Sequence, residues 1–493
     1  MRHRSWLLAV LASASALAVV ATAAAPRWIR AQSPNFEVYS TADEAGVRDA
    51  LLEFEAVRSL FRSLSLVDAS LDASPPAARP TPVRIVAFGA AKEYEPYRPN
   101  DFAVAYYFSG IERDTIVMGG LSSSGGSRAG ADTFPVALHE YFHLAVEHLG
   151  LKLPPWLGEG MAELYSTLRP LGGRTVLGEL IPVRVRALLH DKWVPLPVIL
   201  AADSHSPYYN EKNKAGSLYN EGWALTHMLY LSPEYRPRFA DLLAAIAVGR
   251  DSAEALTSVY GKPAAVIEKD LQAYLLGNRF RAMVFAAGIQ TGDVSAAPEP
   301  APAFEVRLIL AELAQRRGQD DTGFKQQLEA LAREQPDRPE PHVQLGYLLW
   351  RADKAGNPAP VRKEFATAYA LGDRSPKMLW DYGRMIETSQ PQESADAFRQ
   401  LLALQPDRAE VSIELANALL AGGQTIEAAR VLTALPRVLD SADAPRYFSV
   451  SAYVALGLGD RDQARVLAGK LLDAPKSSPA DKQRGQRLLD YLK

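Results

Sequence analysis

Two histidines four residues apart are the side chains of this sequence best placed to do chemistry together. They are His139 and His143, and Glu140 directly follows the first of them. Residues four apart on a helix lie on one face, so both imidazoles can bind a single metal ion there. Glu140 is then close enough to contact a water molecule on that ion rather than the ion itself. The pattern therefore predicts a catalytic metal site with a glutamate as general base.

Two glutamates in the next predicted helix can complete this site. Glu159 follows His143 by 16 positions, in the first turn of a helix that begins at Pro154 and Pro155. Its carboxylate can fold back as a third metal ligand. Any metal here must be held by imidazole and carboxylate, because the chain has no cysteine. Glu163 lies one turn later on the same face, where it can accept the second N–H of a liganding histidine.

The helix that carries the histidines has recognisable start, stop and packing signals. Thr133 can cap its N-terminus, Pro135 fits its first turn and Gly150 follows its end. An apolar stripe predicts its buried face, which consists of Leu138, Phe142, Ala145 and Leu149.

The surrounding pattern, from residue 33 to 291, mixes strand and helix signals. Strands are predicted at residues 36–40, 83–88, 102–108 and 115–118. A helix is predicted behind the first strand, with Thr41 and Glu44 as its capping box. The fold class expected for this half is α+β.

The two motifs together resemble those of the gluzincin metallopeptidases, and more narrowly the bacterial peptidase-MA-like family. The resemblance rests on His-Glu-x-x-His at residues 139–143, followed by Pro-x-Trp-Leu-x-Glu-Gly-x-Ala-Glu at residues 154–163. It extends over about residues 35–290 and implies a zincin-like catalytic domain. It also implies one zinc ion bound by His139, His143 and Glu159, with Glu140 as general base and Glu163 behind the ligands.

The same resemblance implies peptide-bond hydrolysis and an oxyanion donor further along the chain. The candidate donor is Tyr219, at the head of another predicted helix. His227, on the same face of that helix, is interpreted as a packed histidine rather than a catalytic one. An extended peptide substrate is expected to pair with an edge strand such as residues 115–118.

The C-terminal part of the chain is expected to be all helical and repetitive. Residues 292–303 have the Pro/Ala composition of a stiff linker that packs against nothing, and residues 304–493 follow it. Four large apolar residues recur in similar contexts, with separations of 33, 34 and 35 residues, at Phe365, Phe398, Leu432 and Leu467. Small residues are expected at the helix contacts, at Gly346, Gly383, Ala416 and Ala428. This period resembles that of tetratricopeptide repeats, whose stacked helices typically bind a peptide or a protein partner.

The composition and the N-terminal sequence limit the classes of protein and the cellular locations that remain. The 493 residues carry a net charge of −3, which argues against a nucleic-acid-binding protein. Residues 1–25 have the basic, apolar and small-residue order of a signal peptide, which predicts a periplasmic or secreted protein. If that segment were not cleaved, it would instead anchor the protein in a membrane.

Two other functions remain open at this point. One is a non-catalytic interaction protein in which the repeats act and the zincin domain is vestigial. The other is a hydrolase of a non-protein amide.

Overall fold

The computed structural model describes most of the chain between residue 27 and its C-terminus. The described ranges are residues 27–63, 81–100, 103–111, 113–121, 134–171, 174–203, 205–210, 212–277, 280–285, 297–316, 321–435 and 442–493. The predicted signal peptide, residues 1–25, lies outside these ranges, and so does the predicted cap Thr133. Within them, no helix is both long enough and apolar enough to cross a membrane.

A mixed six-stranded sheet is the centre of the N-terminal half. Its strands are β1 (Ile29–Gln32), β2 (Phe36–Ser40), β3 (Val83–Phe88), β4 (Ala105–Ser109), β5 (Asp114–Gly119) and β9 (Glu299–Pro300). Their spatial order is β4-β5-β3-β2-β1-β9. Strands β2, β3 and β5 are parallel, whereas β4, β1 and β9 pair with their neighbours antiparallel.

The expectation that residues 115–118 form an edge strand is wrong. These residues lie in β5, which pairs with β3 on one side and with β4 on the other. Its backbone N–H and C=O groups are therefore used within the sheet. The edge on this side of the sheet is β4, which pairs antiparallel with β5.

Both faces of the sheet are apolar, so both need to be covered. One face packs against helix α1 (Glu44–Ser63) and helix α3 (Phe134–His148), and together they form the largest core of the molecule. The N-terminus of α1 is capped by Asp43, whose carboxylate accepts the N–H of Gly46 at 2.8 Å. The predicted capping box is therefore wrong, since the Thr41 hydroxyl donates to Glu93 instead.

The short helix α2 (Ala91–Tyr94) follows β3 on the other face of the sheet. Its Tyr94 is buried there with Val86, Phe88 and Val117. This second face has a core of its own, separate from the core around α3.

Further helices and a small sheet complete the N-terminal half around α3. The helices are α4 (Pro155–Tyr165), α5 (Pro182–His190), α6 (Leu196–Leu200), α7 (Pro207–Asn210), α8 (Lys212–Leu231), α9 (Phe239–Ala247), α10 (Ser252–Tyr260) and α11 (Ala264–Leu276). The small sheet is antiparallel and consists of β6 (Arg169–Leu171), β7 (Arg174–Leu177) and β8 (Met283–Phe285).

The C-terminal half is a run of antiparallel helices. They are α12 (Ala303–Arg316), α13 (Asp321–Glu334), α14 (Glu340–Ala352), α15 (Ala359–Ala370), α16 (Pro376–Ile386), α17 (Pro391–Leu404), α18 (Ala409–Ala421), α19 (Thr425–Thr433), α20 (Ala444–Gly457), α21 (Arg461–Asp473) and α22 (Pro479–Tyr491). The expected all-α character is confirmed for the described residues after 301.

The repeated residues lie where successive helices touch. Phe365 and Phe398 are fully buried, and Leu432 and Leu467 are nearly so. A methyl group on Gly383 would lie 2.9 Å from the Phe398 ring, so this helix pair can approach closely only around glycine. Gly346 and Gly383 thus make room for the large residue of the following helix, and Ala416 and Ala428 are buried.

The segment expected to be a linker that packs against nothing is in contact with the sheet at its C-terminal end. Glu299–Pro300 pairs with β1, and the N–H of Ala301 donates to the Trp28 carbonyl at 3.0 Å. Pro and Ala composition does not prevent this, because a strand at a sheet edge tolerates proline. The chain therefore enters the repeats from a fixed point on the large sheet.

Candidate metal centre

Helix α3 presents its polar residues on the side opposite its apolar stripe. Leu138, Phe142 and Ala145 are buried as predicted, but Leu149 is 37% exposed, because the helix ends at His148 and the chain turns away. His139 is buried and His143 is half-buried on the opposite side of the helix. The stripe packs under the sheet and therefore fixes the direction in which both imidazoles point.

Helix α4 lies against α3 and carries both predicted carboxylates. Glu159 and Glu163 are buried, one helical turn apart. The position of α4 depends on two glycines at its crossing with α8: a methyl group on Gly160 would overlap the Gly222 carbonyl, and one on Gly222 would lie 2.8 Å from the Trp156 carbonyl. This close crossing brings the first half of α8, with Tyr219, next to the histidines.

Three of the predicted side chains converge on one point. The Nε2 atoms of His139 and His143 are 3.1 Å apart, and Glu159 Oε2 lies 3.2 Å from the first and 3.5 Å from the second. Ligands at about 2.05 Å from a tetrahedral zinc ion are about 3.3 Å from one another. Among the described residues, these three are the only group of potential metal ligands gathered in this way. Their spacing and donor types fit one zinc ion.

The electrostatics of these groups also favour a cation at this point. Burial by itself would lower the pKa of His139, but hydrogen bonds with Glu159 and Glu163 raise that pKa to about 10. Burial would raise the pKa of Glu159, yet contacts with both histidines hold it well below its usual range. Two carboxylates thus stabilise positive charge between the imidazoles, and a divalent ion would carry charge of that sign.

Glu163 contacts the far side of His139, as predicted. Its Oε1 lies 3.3 Å from His139 Nδ1, so a proton on Nδ1 leaves the Nε2 lone pair directed at the shared point. Arg184 of helix α5 holds this carboxylate with two N–H groups, one of them 2.7 Å from Glu163 Oε2. Its third N–H group donates to Asn220 Oδ1 at 3.0 Å. Arg184 and Asn220 were not among the predicted site residues.

Glu140 is held from the edge of the large sheet. The backbone N–H of Tyr107, in β4, donates to Glu140 Oε2 at 3.0 Å. Burial raises the pKa of Glu140, although the neighbouring histidines oppose this effect. A carboxylate whose pKa is raised towards neutrality is suited to proton transfer. Every residue except proline has a backbone N–H, so a sequence pattern does not indicate which one donates to Glu140. This contact could therefore not be predicted.

Tyr219 and His227, both on α8, have different surroundings. The Tyr219 ring is half-buried, with its centroid 6.4 Å from that of His139 and 5.6 Å from the Arg184 guanidinium carbon. His227 is fully buried, with hydrogen-bonding distances of 3.0 Å to the Tyr274 hydroxyl and 2.9 Å to the Gly178 carbonyl. Tyr219 therefore lies beside the candidate centre, whereas His227 is a packed histidine, as expected.

Comparison with known families identifies repeats in the C-terminal half. Residues 385–452 match the tetratricopeptide repeat family. No curated protein matches the chain.

Three solved structures are similar to part of it. "MamA RS-1 ArsTM double mutant" is 16% identical, with a TM-score of 0.28, and the match covers 36% of this chain and 98% of that one. "PilW, widely conserved type IV pilus biogenesis factor" is 18% identical, with a TM-score of 0.28, and the match covers 39% of this chain and 87% of that one. A thermophilic TPR protein of Thermus thermophilus, TTC0263, is 17% identical, with a TM-score of 0.23, and the match covers 38% of this chain and 99% of that one. The family match confirms the predicted tetratricopeptide repeats at residues 385–452, and the chain is a helical-repeat protein in its C-terminal half.

Proposed function

We propose that the N-terminal half is a zinc-dependent peptidase of the gluzincin type, with His139, His143 and Glu159 as the ligands of one zinc ion. The observation that carries this proposal is the mutual spacing of the three ligand atoms, 3.1 to 3.5 Å. An incidental group of polar residues on a helix surface would not be buried around a common point. Nor would it have a carboxylate behind the first imidazole, as His139 has in Glu163.

The roles of the protein groups follow from their positions. A zinc ion in such a site lowers the pKa of a water molecule and polarises a carbonyl group. Glu140 is placed to accept the proton of the attacking water and to return it to the leaving nitrogen. Tyr219, beside His139, is the proposed donor to the oxyanion that develops on the substrate carbonyl. Glu163 and Arg184 keep the His139 ring in one orientation.

The first experiment separates metal binding from catalysis. The purified full chain should contain about one zinc ion, and it should cleave unfolded casein in a reaction that a chelator stops. Glu140→Gln should retain the zinc and lose cleavage, because the amide cannot accept the proton. Glu254→Gln, on the exposed side of α10, is the matched control and should leave both properties unchanged. Cleavage by Glu140→Gln at the wild-type rate would refute the proposal.

A second candidate function is favoured by the repeat match at residues 385–452. Tetratricopeptide repeats generally mediate protein–protein interaction, so the chain fits an interaction protein whose N-terminal half does not hydrolyse anything. Zinc binding without cleavage of any protein or peptide mixture would support this function over the peptidase. Mass spectrometry of the products would distinguish peptide hydrolysis from hydrolysis of a non-protein amide.

In the peptidase, the repeats would recruit a protein substrate or a partner to the catalytic half. We also propose export to the periplasm or the medium, on the basis of residues 1–25. N-terminal sequencing of the mature protein tests this directly, because an intact N-terminus would indicate a membrane anchor instead.

A further inference from the structure

The first helix of the repeat half, α12, belongs to two cores at once. On one side Phe304, Leu308 and Ala311 pack against α13 and α14. On its other side Val306, Ile309 and Leu313 pack on the face of the large sheet that is turned away from α3. That sheet face is formed by Tyr39, Val86, Phe88, Phe108 and Val117. The repeat half therefore supplies a layer that covers the second face of the sheet.

Polar contacts fasten the C-terminal end of α12 to the edge of the sheet. The guanidinium carbon of Arg316 lies 3.7 Å from the centre of the Phe108 ring, and one of its N–H groups donates to the Ser109 carbonyl at 3.2 Å. One turn earlier, Glu312 pairs with Arg84 of β3 at 3.5 Å. Arg316 thus binds β4 through both a side chain and the backbone.

The residue that precedes Phe108 and Ser109 in β4 is Tyr107, and its backbone N–H holds Glu140. The Tyr107 N–H donates to Glu140 Oε2, whereas Phe108 and Ser109 contact Arg316. Among the described strands, β4 pairs with β5 alone, so it has a backbone partner on one side only. Its position next to Glu140 therefore depends on β5 and on the helices that pack on its two faces.

We propose that Arg316 is a positioning residue: it fixes edge strand β4 from the repeat half, so that the Tyr107 N–H reaches the carboxylate of Glu140. The first helix of the repeat half then supports the catalytic half, in addition to any binding of a partner or substrate by the repeats that follow it. The catalytic consequence rests on the proposed peptidase function. The fixing of β4 does not, since it follows from contacts that exist whether or not the protein hydrolyses anything.

The test compares two arginines of the same helix in the full-length protein. Arg316→Ala removes the contact with β4, whereas Arg307→Ala, the matched control, removes an exposed pair with Glu334 of α13. Amide hydrogen exchange is measured by mass spectrometry on peptides that contain residues 105–109 and 83–88. We expect Arg316→Ala to accelerate exchange in 105–109 and leave 83–88 unchanged, and Arg307→Ala to change neither. Unchanged exchange in 105–109, or equal acceleration in both variants, overturns the proposal.

Activity provides the second measurement. With zinc content unchanged, kcat of Arg316→Ala should fall by roughly tenfold while KM changes little, because misplacing a catalytic group slows the reaction more than it weakens substrate binding. Arg316→Lys keeps the charge over Phe108 and should recover part of the loss, which a general effect on stability would not produce. An unchanged kcat in Arg316→Ala would overturn the catalytic consequence of the proposal. If the wild type cleaves nothing, the peptidase proposal fails, and the exchange comparison still decides whether Arg316 fixes the strand.

Discussion

Replacing Glu163 tests whether the carboxylate behind His139 sets the zinc affinity of the centre. Glu163 accepts from His139 Nδ1 at 3.3 Å and is itself held by Arg184. Loss of such a partner typically weakens metal binding 10- to 100-fold. In Glu163→Gln the amide oxygen can still accept the His139 N–H, but the negative charge of the carboxylate is lost. A charge-assisted hydrogen bond is about twice as strong as a neutral one. We therefore expect about tenfold weaker zinc binding, or about 1.4 kcal/mol. Glu163→Leu, which has no acceptor, should approach 100-fold.

The assay is competition for zinc against a fluorescent chelator at pH 7.5, with circular dichroism to verify that each variant is folded. The matched control is Glu179→Gln, because Glu179 also pairs with an arginine, Arg169, and no ion pair joins it to a histidine within the described part of the chain. Its zinc affinity should equal that of the wild type. If Glu163→Gln binds zinc as tightly as Glu179→Gln, then Glu163 does not orient the ligand and the reasoning is refuted.

Three further outcomes are expected. Ile309→Ala, at the contact of α12 with the sheet, should destabilise the protein by about 2–5 kcal/mol in denaturant unfolding; an unchanged midpoint would show that this contact contributes nothing. Burial raises the pKa of Glu221 from its ordinary 4.5 to about 7. The folded state therefore holds a proton that the unfolded state releases, and about 3 kcal/mol of stability should be lost as the pH rises from 4.5 to above 7. Glu221→Gln should abolish that slope, as measured by unfolding at several pH values. Gly346→Ala places a methyl group against the buried Phe365 ring and should lower stability by about 1–3 kcal/mol, whereas unchanged thermal unfolding would contradict the close contact.

The residues of the candidate centre could be predicted from the sequence because the relevant geometry is local. Two histidines four apart share a helix face whatever the rest of the fold does, and helix signals are read over a few residues. The same holds for the repeats, whose period reflects one helical hairpin packing on the next. The prediction of Glu159 as a ligand depended on more than local geometry, since its carboxylate reaches the histidines only if α4 packs back against α3.

The tertiary structure decided what depends on contacts between distant segments. Residues 115–118 have the apolar pattern of a strand, but only the order of strands in the sheet makes β5 an interior strand and β4 an edge strand. The contact of Arg184 with Glu163 joins two helices, and that of Arg316 with β4 joins residues more than 200 positions apart. Helical and strand periodicity report which side of an element is buried. They do not report which element buries it, because that choice is made by the packing of the whole chain.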